Sequence, residues 1–239
     1  SQFPNISEEI GDMVFRVNLK DKSELSLRII SASIIMPLVI GITIAGFPYF
    51  NILILIATVI LLKEYMYVCN KNASWMFFGT IYILTSCFSL NSLSLIKPFG
   101  VETVLALFAI VWASDTGAFA IGRIVGGKKL APKISPNKTW AGFFGGTISS
   151  IFIGFSLAIV FTKNSVLLLG IISGVIGVIS QVGDLIISWV KRNFNKKDTG
   201  RIIPGHGGLL DRVDGLLPAS FFVWIAGIFF HQKSFLLWF

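Results

Sequence analysis

Four aspartates, Asp115, Asp184, Asp211 and Asp214, sit where this chain most needs a chemical explanation. Asp115 interrupts the apolar run LALFAIVWASDTGAFAIG, and Asp184 interrupts GVIGVISQVGDLIISWV. An ionised carboxylate among lipid chains needs a partner, a metal ion or water. Taken singly, each acid could equally snorkel to the membrane edge or pair with a basic loop; taken together, the two favour one shared polar site. Asp184, Ser188 and Lys191 stand at i, i+4 and i+7, so they share a face if their helix continues to the membrane edge. Asp211 and Asp214 project together if their stretch turns helical. Four converging carboxylates would repel one another unless a divalent cation neutralised them, and beside phosphates the usual hard ion is Mg²⁺. A transition-metal site would need His or Cys clusters, and the chain has only His206 and His231.

Two polar stretches surround these acids. Residues 188–214, SWVKRNFNKKDTGRIIPGHGGLLDRVD, carry six basic and three acidic side chains in an otherwise apolar chain. Residues 114–146 form the second. There, Gly126-Gly127-Lys128-Lys129 looks like a phosphate loop but lacks the GxxxxGK[ST] spacing, which rejects that reading. The run Ser135-Pro136-Asn137-Lys138-Thr139-Trp140 places Lys138 and the Thr139 hydroxyl at an expected helix start, where backbone N–H groups favour anions. Read alone, it is better explained as an ordinary cap in a basic loop.

The elements that must position these residues belong to a membrane protein. The chain has 239 residues, of which 54% are hydrophobic and 13% charged, with a mean hydropathy of +0.79. A soluble domain carries about twice that share of charge. Apolar runs near the ~18 residues needed to cross a bilayer predict an all-α, polytopic helix bundle with spans at 28–46, 48–62, 74–90, 101–121, 140–162, 165–187 and 215–232. The second and third spans read as short. Gly46-Phe47-Pro48 supplies a stop and restart between the first two. The expected organisation is an amino-terminal cytoplasmic segment, 1–27, and one integral membrane catalytic domain, 28–239. The amino-terminal residues lack the layout of a cleavable signal peptide. Cys69 and Cys87 have no metal spacing, and a disulfide between them is not expected.

Orientation follows from the twenty basic residues. Arg16, Lys20, Lys22 and Arg28 precede the first span, and Lys63 and Lys71 follow the second. Arg123, Lys128, Lys129, Lys133 and Lys138 follow the fourth; Lys191, Arg192, Lys196, Lys197, Arg201 and Arg212 follow the sixth. Only Lys97, Lys163 and Lys233 fall on the other side. The basic side is expected to be cytoplasmic, which places the polar site there too. Basic loops facing anionic headgroups also account for the net charge of +8 without nucleic acid.

The motifs resemble those of the phosphatidate cytidylyltransferases (CDP-diacylglycerol synthases). Members typically carry Ser-Asp-Thr-Gly, Gly-Arg, Ser-Pro-x-Lys-Thr-Trp-Glu-Gly and Gln-x-Gly-Asp ahead of a signature like residues 188–214. This chain matches at Ser114, Asp115, Thr116, Gly117, Gly122, Arg123, Ser135, Pro136, Lys138, Thr139, Trp140, Gly142, Gln181, Gly183 and Asp184. It departs at Ala141, where Glu is usual, and at Gly215, where Ser is usual. The likeness covers the carboxyl-terminal half; the first hundred residues agree only in being membrane spans.

The resemblance implies reaction of phosphatidic acid with CTP to give CDP-diacylglycerol and pyrophosphate, in a bacterial inner membrane. It implies Asp184, Asp211, Asp214 and Asp115 as ligands for Mg²⁺, and it raises a second cation such as K⁺ and a homodimer. Asp184, Asp211, Asp214, Lys191 and Arg212 are the expected catalytic group. Ser114, Asp115, Lys138, Thr139, Ser188, Arg192, Lys197, His206, Gly207 and Gly208 are the expected substrate contacts. Several have bland alternatives. Arg212 could form an ion pair between two acids, His206 could close a loop, and Ser188 could bond its own helix. A lipid phosphate with a second pKa near ~6 is largely dianionic at neutral pH, so it needs no protein nucleophile and no general base. Two other classes share some of these features, a CTP-dependent lipid kinase and a transporter; clustered polar motifs and the lack of an inverted repeat argue against the transporter.

Overall fold

The computed structural model describes residues 31, 33–70, 72–161, 166–200, 202–203 and 207–229. Helix α1 (Ser33–Ala45) ends at Gly46, whose φ of +66° suits glycine, and α2 (Tyr49–Val68) follows. Then come α3 (Ala73–Ser94) and α4 (Gly100–Val125), a hairpin of β1 (Lys129–Ala131) and β2 (Ser135–Thr139), α5 (Trp140–Phe161), α6 (Val166–Asn193), the single turn α7 (Leu210–Val213) and α8 (Leu216–Phe229). Asn72 begins α3 by accepting the backbone N–H of Trp75, a standard N-cap.

Five helices, α2 to α6, are long and apolar enough to cross a membrane; α1 and α8 are shorter apolar helices. Two of the seven expected spans therefore correspond to helices that, among the described residues, fall below spanning length. The second and third spans are longer than expected. Lys63 and Glu64 end an apolar window but do not end α2, because charged residues are good helix formers. The expected helix bundle also carries one small hairpin: β1 pairs antiparallel with β2, Lys129 opposite Thr139 and Ala131 opposite Ser135. Strands this short carry too few residues to show an alternating pattern.

Large apolar side chains such as Phe77, Phe88, Phe119, Phe144 and Phe152 lie exposed around the bundle, as lipid contact requires. Lipid removes the hydrophobic drive between helices, so association depends on small residues and interhelical hydrogen bonds. Helices α4, α5 and α6 pack most closely, through buried Gly142, Gly145, Gly146, Ser150 and Gly154 of α5. Ser150 donates to the Ile110 carbonyl at 3.2 Å and Ser114 to the Gly177 carbonyl at 3.3 Å, tying the three together. Each such bond contributes on the order of 0.6 kcal/mol. The result fixes Asp115 on α4 beside Asp184 on α6.

A second apolar cluster lies beneath the short helix. Leu210, 1% exposed, packs with Leu61 and Tyr65 of α2, Ile83 of α3, Ile187 of α6 and Leu217 of α8. Where the alternative is water, burying a leucine contributes about 2 kcal/mol. It seats α7 between α2 and α6, with Asp211 next in the chain.

Candidate active site

A cavity of about 880 Å³ opens where the ends of α4 and α6, the hairpin and α7 meet. It falls within the range of about 300–1,000 Å³ typical of small-molecule sites. Asp115, Gly122 and Arg123 of α4 line it, with Lys129, Asn137, Lys138 and Thr139 of the hairpin, Gln181, Asp184 and Lys191 of α6, and Asp198, Asp211, Arg212 and Asp214. Both acidic and basic groups line it.

Helix α6 runs unbroken to Asn193, so Asp184, Ser188 and Lys191 share a face. Lys138 reaches from β2 to Asp184, Nζ to Oδ2 at 2.6 Å, and Nζ also donates to the Gln181 carbonyl at 3.4 Å. Ser188 donates to Asp184 Oδ1 at 3.2 Å, so its hydroxyl orients the carboxylate. Gln181 in turn donates to the Phe143 carbonyl and the Thr147 hydroxyl, which locks α6 to α5 below Asp184.

Asp211 and Asp214 face different partners despite their spacing. Asp211 Oδ1 accepts from Lys191 Nζ at 2.6 Å; Oδ2 accepts from the Thr199 N–H at 2.8 Å, the Thr199 hydroxyl at 3.0 Å and the Gly208 N–H at 3.2 Å. Burial alone would raise the Asp211 carboxyl, but hydrogen bonds from Lys191 and the Thr199 N–H, followed by the charge of Lys191 and the Thr199 hydroxyl, hold it below the usual carboxylate range. Asp214 behaves oppositely. Burial first, then the charges of Asp184 and Asp115, push its carboxyl well above that range, opposed by Lys191 and by the Gly215 N–H bonded to Oδ1 at 2.9 Å. Asp115, Asp184 and Asp214 thus form a mutually repelling trio from three separate segments.

Those three carboxylates suit a hard divalent cation, which would relieve their repulsion. Among the described residues, no three Asp, Glu, His or Cys side chains stand close enough together to hold an ion as placed. Lys138 and Lys191 occupy carboxylate oxygens instead.

The family model for the "Cytidylyltransferase family" matches residues 68–230, which spans every one of these groups. The chain belongs to the cytidylyltransferase family. A Rickettsia felis protein named phosphatidate cytidylyltransferase is 37% identical over 215 residues, covering 85% of this chain and 94% of that protein. Another of that name from Rickettsia bellii is 35% identical over 215 residues, covering 85% and 92%. A Brucella suis protein of the same name is 41% identical over 165 residues, covering 69% of this chain; the match spans only 61% of that protein's length.

Against this family frame the remaining expected residues take clear places. Thr139 is buried and accepts the Gly142 N–H at 3.1 Å, capping α5 at the cavity wall. Ser114 lies buried between α4 and α6 and is not part of the cavity lining. Arg192 holds the hairpin turn through the Ile134 carbonyl at 3.2 Å and also bonds the Lys196 carbonyl, away from the lining. Lys197 is exposed outside it. Arg212 borders the cavity, and its charge reaches Asp115. Gly207, at φ +86°, and Gly208 bring the loop over Asp211. His206 lies outside the described residues. Cys69 and Cys87 are free and buried.

Sequence reasoning missed Thr199 and Glu64. Thr199 followed an eye-catching Lys197-Asp198 pair, and Glu64 was one acid at the end of an apolar run. The departure at Gly215 has a local reason: a Cβ there would stand 2.3 Å from Ser180 Oγ, a buried hydroxyl without a hydrogen-bond partner among the described residues. Gly215→Ser is expected to cost about 1–2 kcal/mol of thermal stability. Adding Ser180→Ala should recover most of that loss in the same melting measurement.

Proposed function

We propose that this chain transfers the cytidylyl group of CTP to phosphatidic acid, forming CDP-diacylglycerol and releasing pyrophosphate. The observation that carries the reading is the cavity itself, where Lys138, Lys191, Arg212, Arg123 and Lys129 surround a carboxylate trio inside a cytidylyltransferase-family bundle. The names of the Rickettsia and Brucella relatives point to the same lipid substrate. An oxygen of the lipid phosphate attacks the α-phosphorus of CTP, a new P–O bond forms, and the α–β bridge breaks with its electron pair leaving on pyrophosphate. The chief obstacle is bringing two polyanions together, which positioned cations overcome.

Lys138 and Lys191 are placed for that task, each anchored by a carboxylate yet bordering the cavity. Arg123 and Lys129 extend the basic wall toward the hairpin, where a triphosphate tail or the lipid headgroup fits. Asp115, Asp184 and Asp214 would hold Mg²⁺ once drawn closer together than they stand here, and the ion when bound supplies countercharge to the phosphates. Asp211 Oδ1 accepts one bond, from Lys191, and keeps a lone pair with which it could join them. A second cation such as K⁺ belongs to the same proposal. The loops that build the cavity are the basic ones after α4 and α6, which supports a cytoplasmic opening in a bacterial inner membrane.

The test is detergent-purified protein given phosphatidic acid and CTP labelled at either the α- or the γ-phosphorus. Incorporation of α-label into lipid with stoichiometric pyrophosphate is the expected result. Transfer of γ-label would establish a lipid kinase instead, and neither product would refute both. Removing divalent cations with EDTA is expected to reduce turnover at least about 100-fold, and added Mg²⁺ to restore it.

A further inference from the structure

Glu64 sits on α2, is 4% exposed, and lies just before the region matched by the family model. It does not line the cavity. Its Oε1 accepts the Leu209 N–H at 2.9 Å, while Oε2 accepts the Leu210 N–H at 2.8 Å and the Thr199 hydroxyl at 3.2 Å. All three donors belong to the stretch that carries Asp211. One carboxylate therefore joins the two flanks of the loop to α2, beside the bonds that Asp211 makes to Thr199 and Gly208.

The contacts continue to the cavity. Thr199, which touches Glu64 through its hydroxyl, also donates its N–H to Asp211, and Asp211 holds Lys191. The Thr199 hydroxyl has one proton and two carboxylates within reach, Glu64 at 3.2 Å and Asp211 at 3.0 Å, so it serves one of them at a time. The Thr199 backbone N–H binds Asp211 either way. The loop closes this tightly only because residue 208 is glycine: a Cβ there would stand 2.1 Å from Thr199 Oγ and 2.7 Å from Glu64 Oε2.

We infer that Glu64 is a positioning residue, the anion by which α2 clamps the 199–210 loop so that Asp211 and Lys191 face the cavity. The inference rests on the reading of that cavity as the cytidylyl-transfer site. A buried carboxylate accepting backbone N–H groups on both oxygens is specific in a way its amide is not. In Glu64→Gln the new –NH₂ must confront either the Leu209 or the Leu210 N–H, and one contact becomes repulsive. Glu64→Asp keeps the charge but withdraws it by one methylene.

Both variants are made in the full chain and purified in detergent, and two quantities are measured. Without substrate, hydrogen exchange at the Leu209 and Leu210 amides is expected to quicken about tenfold or more, with α4 and α6 unchanged. With CTP and phosphatidic acid, turnover is expected to fall about 100-fold in Glu64→Gln and less in Glu64→Asp. A merely smaller folded fraction would lower turnover without changing exchange in the surviving molecules. Wild-type exchange at Leu209 and Leu210 overturns the inference, as does faster exchange with turnover within about twofold of wild type. If Glu64→Gln does not fold, Glu64→Asp decides by the same two measurements. Lack of cytidylyl transfer by the wild-type protein would refute the proposed reaction, while the exchange result would still decide whether Glu64 holds the loop.

Discussion

Asp211→Asn is expected to leave the helices folded and inserted while lowering turnover by about 100-fold or more. Asp211 and Lys191 form an ion pair at 2.6 Å whose side chains are only 9% and 11% exposed. Asparagine offers a single acceptor oxygen. If that oxygen faces Thr199 and Gly208, the –NH₂ lies against the Lys191 ammonium; if it flips, the –NH₂ confronts the Thr199 and Gly208 N–H groups. Removing one partner of a buried pair costs about 3–5 kcal/mol, mostly because the other charge is left uncompensated. The damage stays local because α7 is a single turn.

The pH dependence has a definite sign. The Asp211 carboxyl is held below its ordinary value, so its stabilisation is complete above the usual carboxylate range. It is lost as pH falls through the lowered folded-state value. The melting-temperature gap between wild type and Asp211→Asn should therefore be constant around neutrality and close only in strong acid. Wild-type turnover in the variant, or a gap that closes near pH 7, would count against the assignment.

What could be read from the chain depended on distance along it. Apolar runs reveal helices because a span is a local property, and the match of Asp184, Ser188 and Lys191 to one face held because α6 runs unbroken to Asn193. The spacing of Asp211 and Asp214 looks equivalent, yet α7 ends after one turn, and the two carboxylates meet opposite environments. Lys138 was legible as a basic residue near a helix start, but not as a strand residue reaching α6. Glu64 meets Thr199 across 135 residues of chain, and no hydropathy window contains both. Ser114 matched the family motif, but its hydroxyl ties α4 to α6, a packing role that a motif alone does not distinguish from substrate contact.

Asp214→Asn is expected to abolish turnover to a similar degree, about 100-fold or more, and to raise thermal stability. The wild-type carboxyl suffers burial and the charges of Asp184 and Asp115, with Lys191 and the Gly215 N–H in partial compensation. An amide of nearly the same shape keeps an oxygen for the Gly215 N–H at the Asp214 Oδ1 position and removes the repulsion. A raised carboxyl is one whose charged form the fold disfavours, so a higher melting temperature is expected for the variant near neutrality. Such a carboxyl destabilises the fold as pH rises through the range between its unfolded and folded values, and asparagine cannot titrate there. Wild type should accordingly become relatively less stable than the variant as pH increases from the usual carboxylate range toward neutrality. The same amide substitution three residues earlier lowers stability, because Asp211 is held by donors whereas Asp214 is pressed by acids. Paired melting curves and turnover measurements on the two variants would separate a carboxylate kept for structure from one kept at a structural cost for function. Loss of stability in Asp214→Asn would mean that Asp214 is itself held by a favourable partner, and the repelling trio would no longer account for the site.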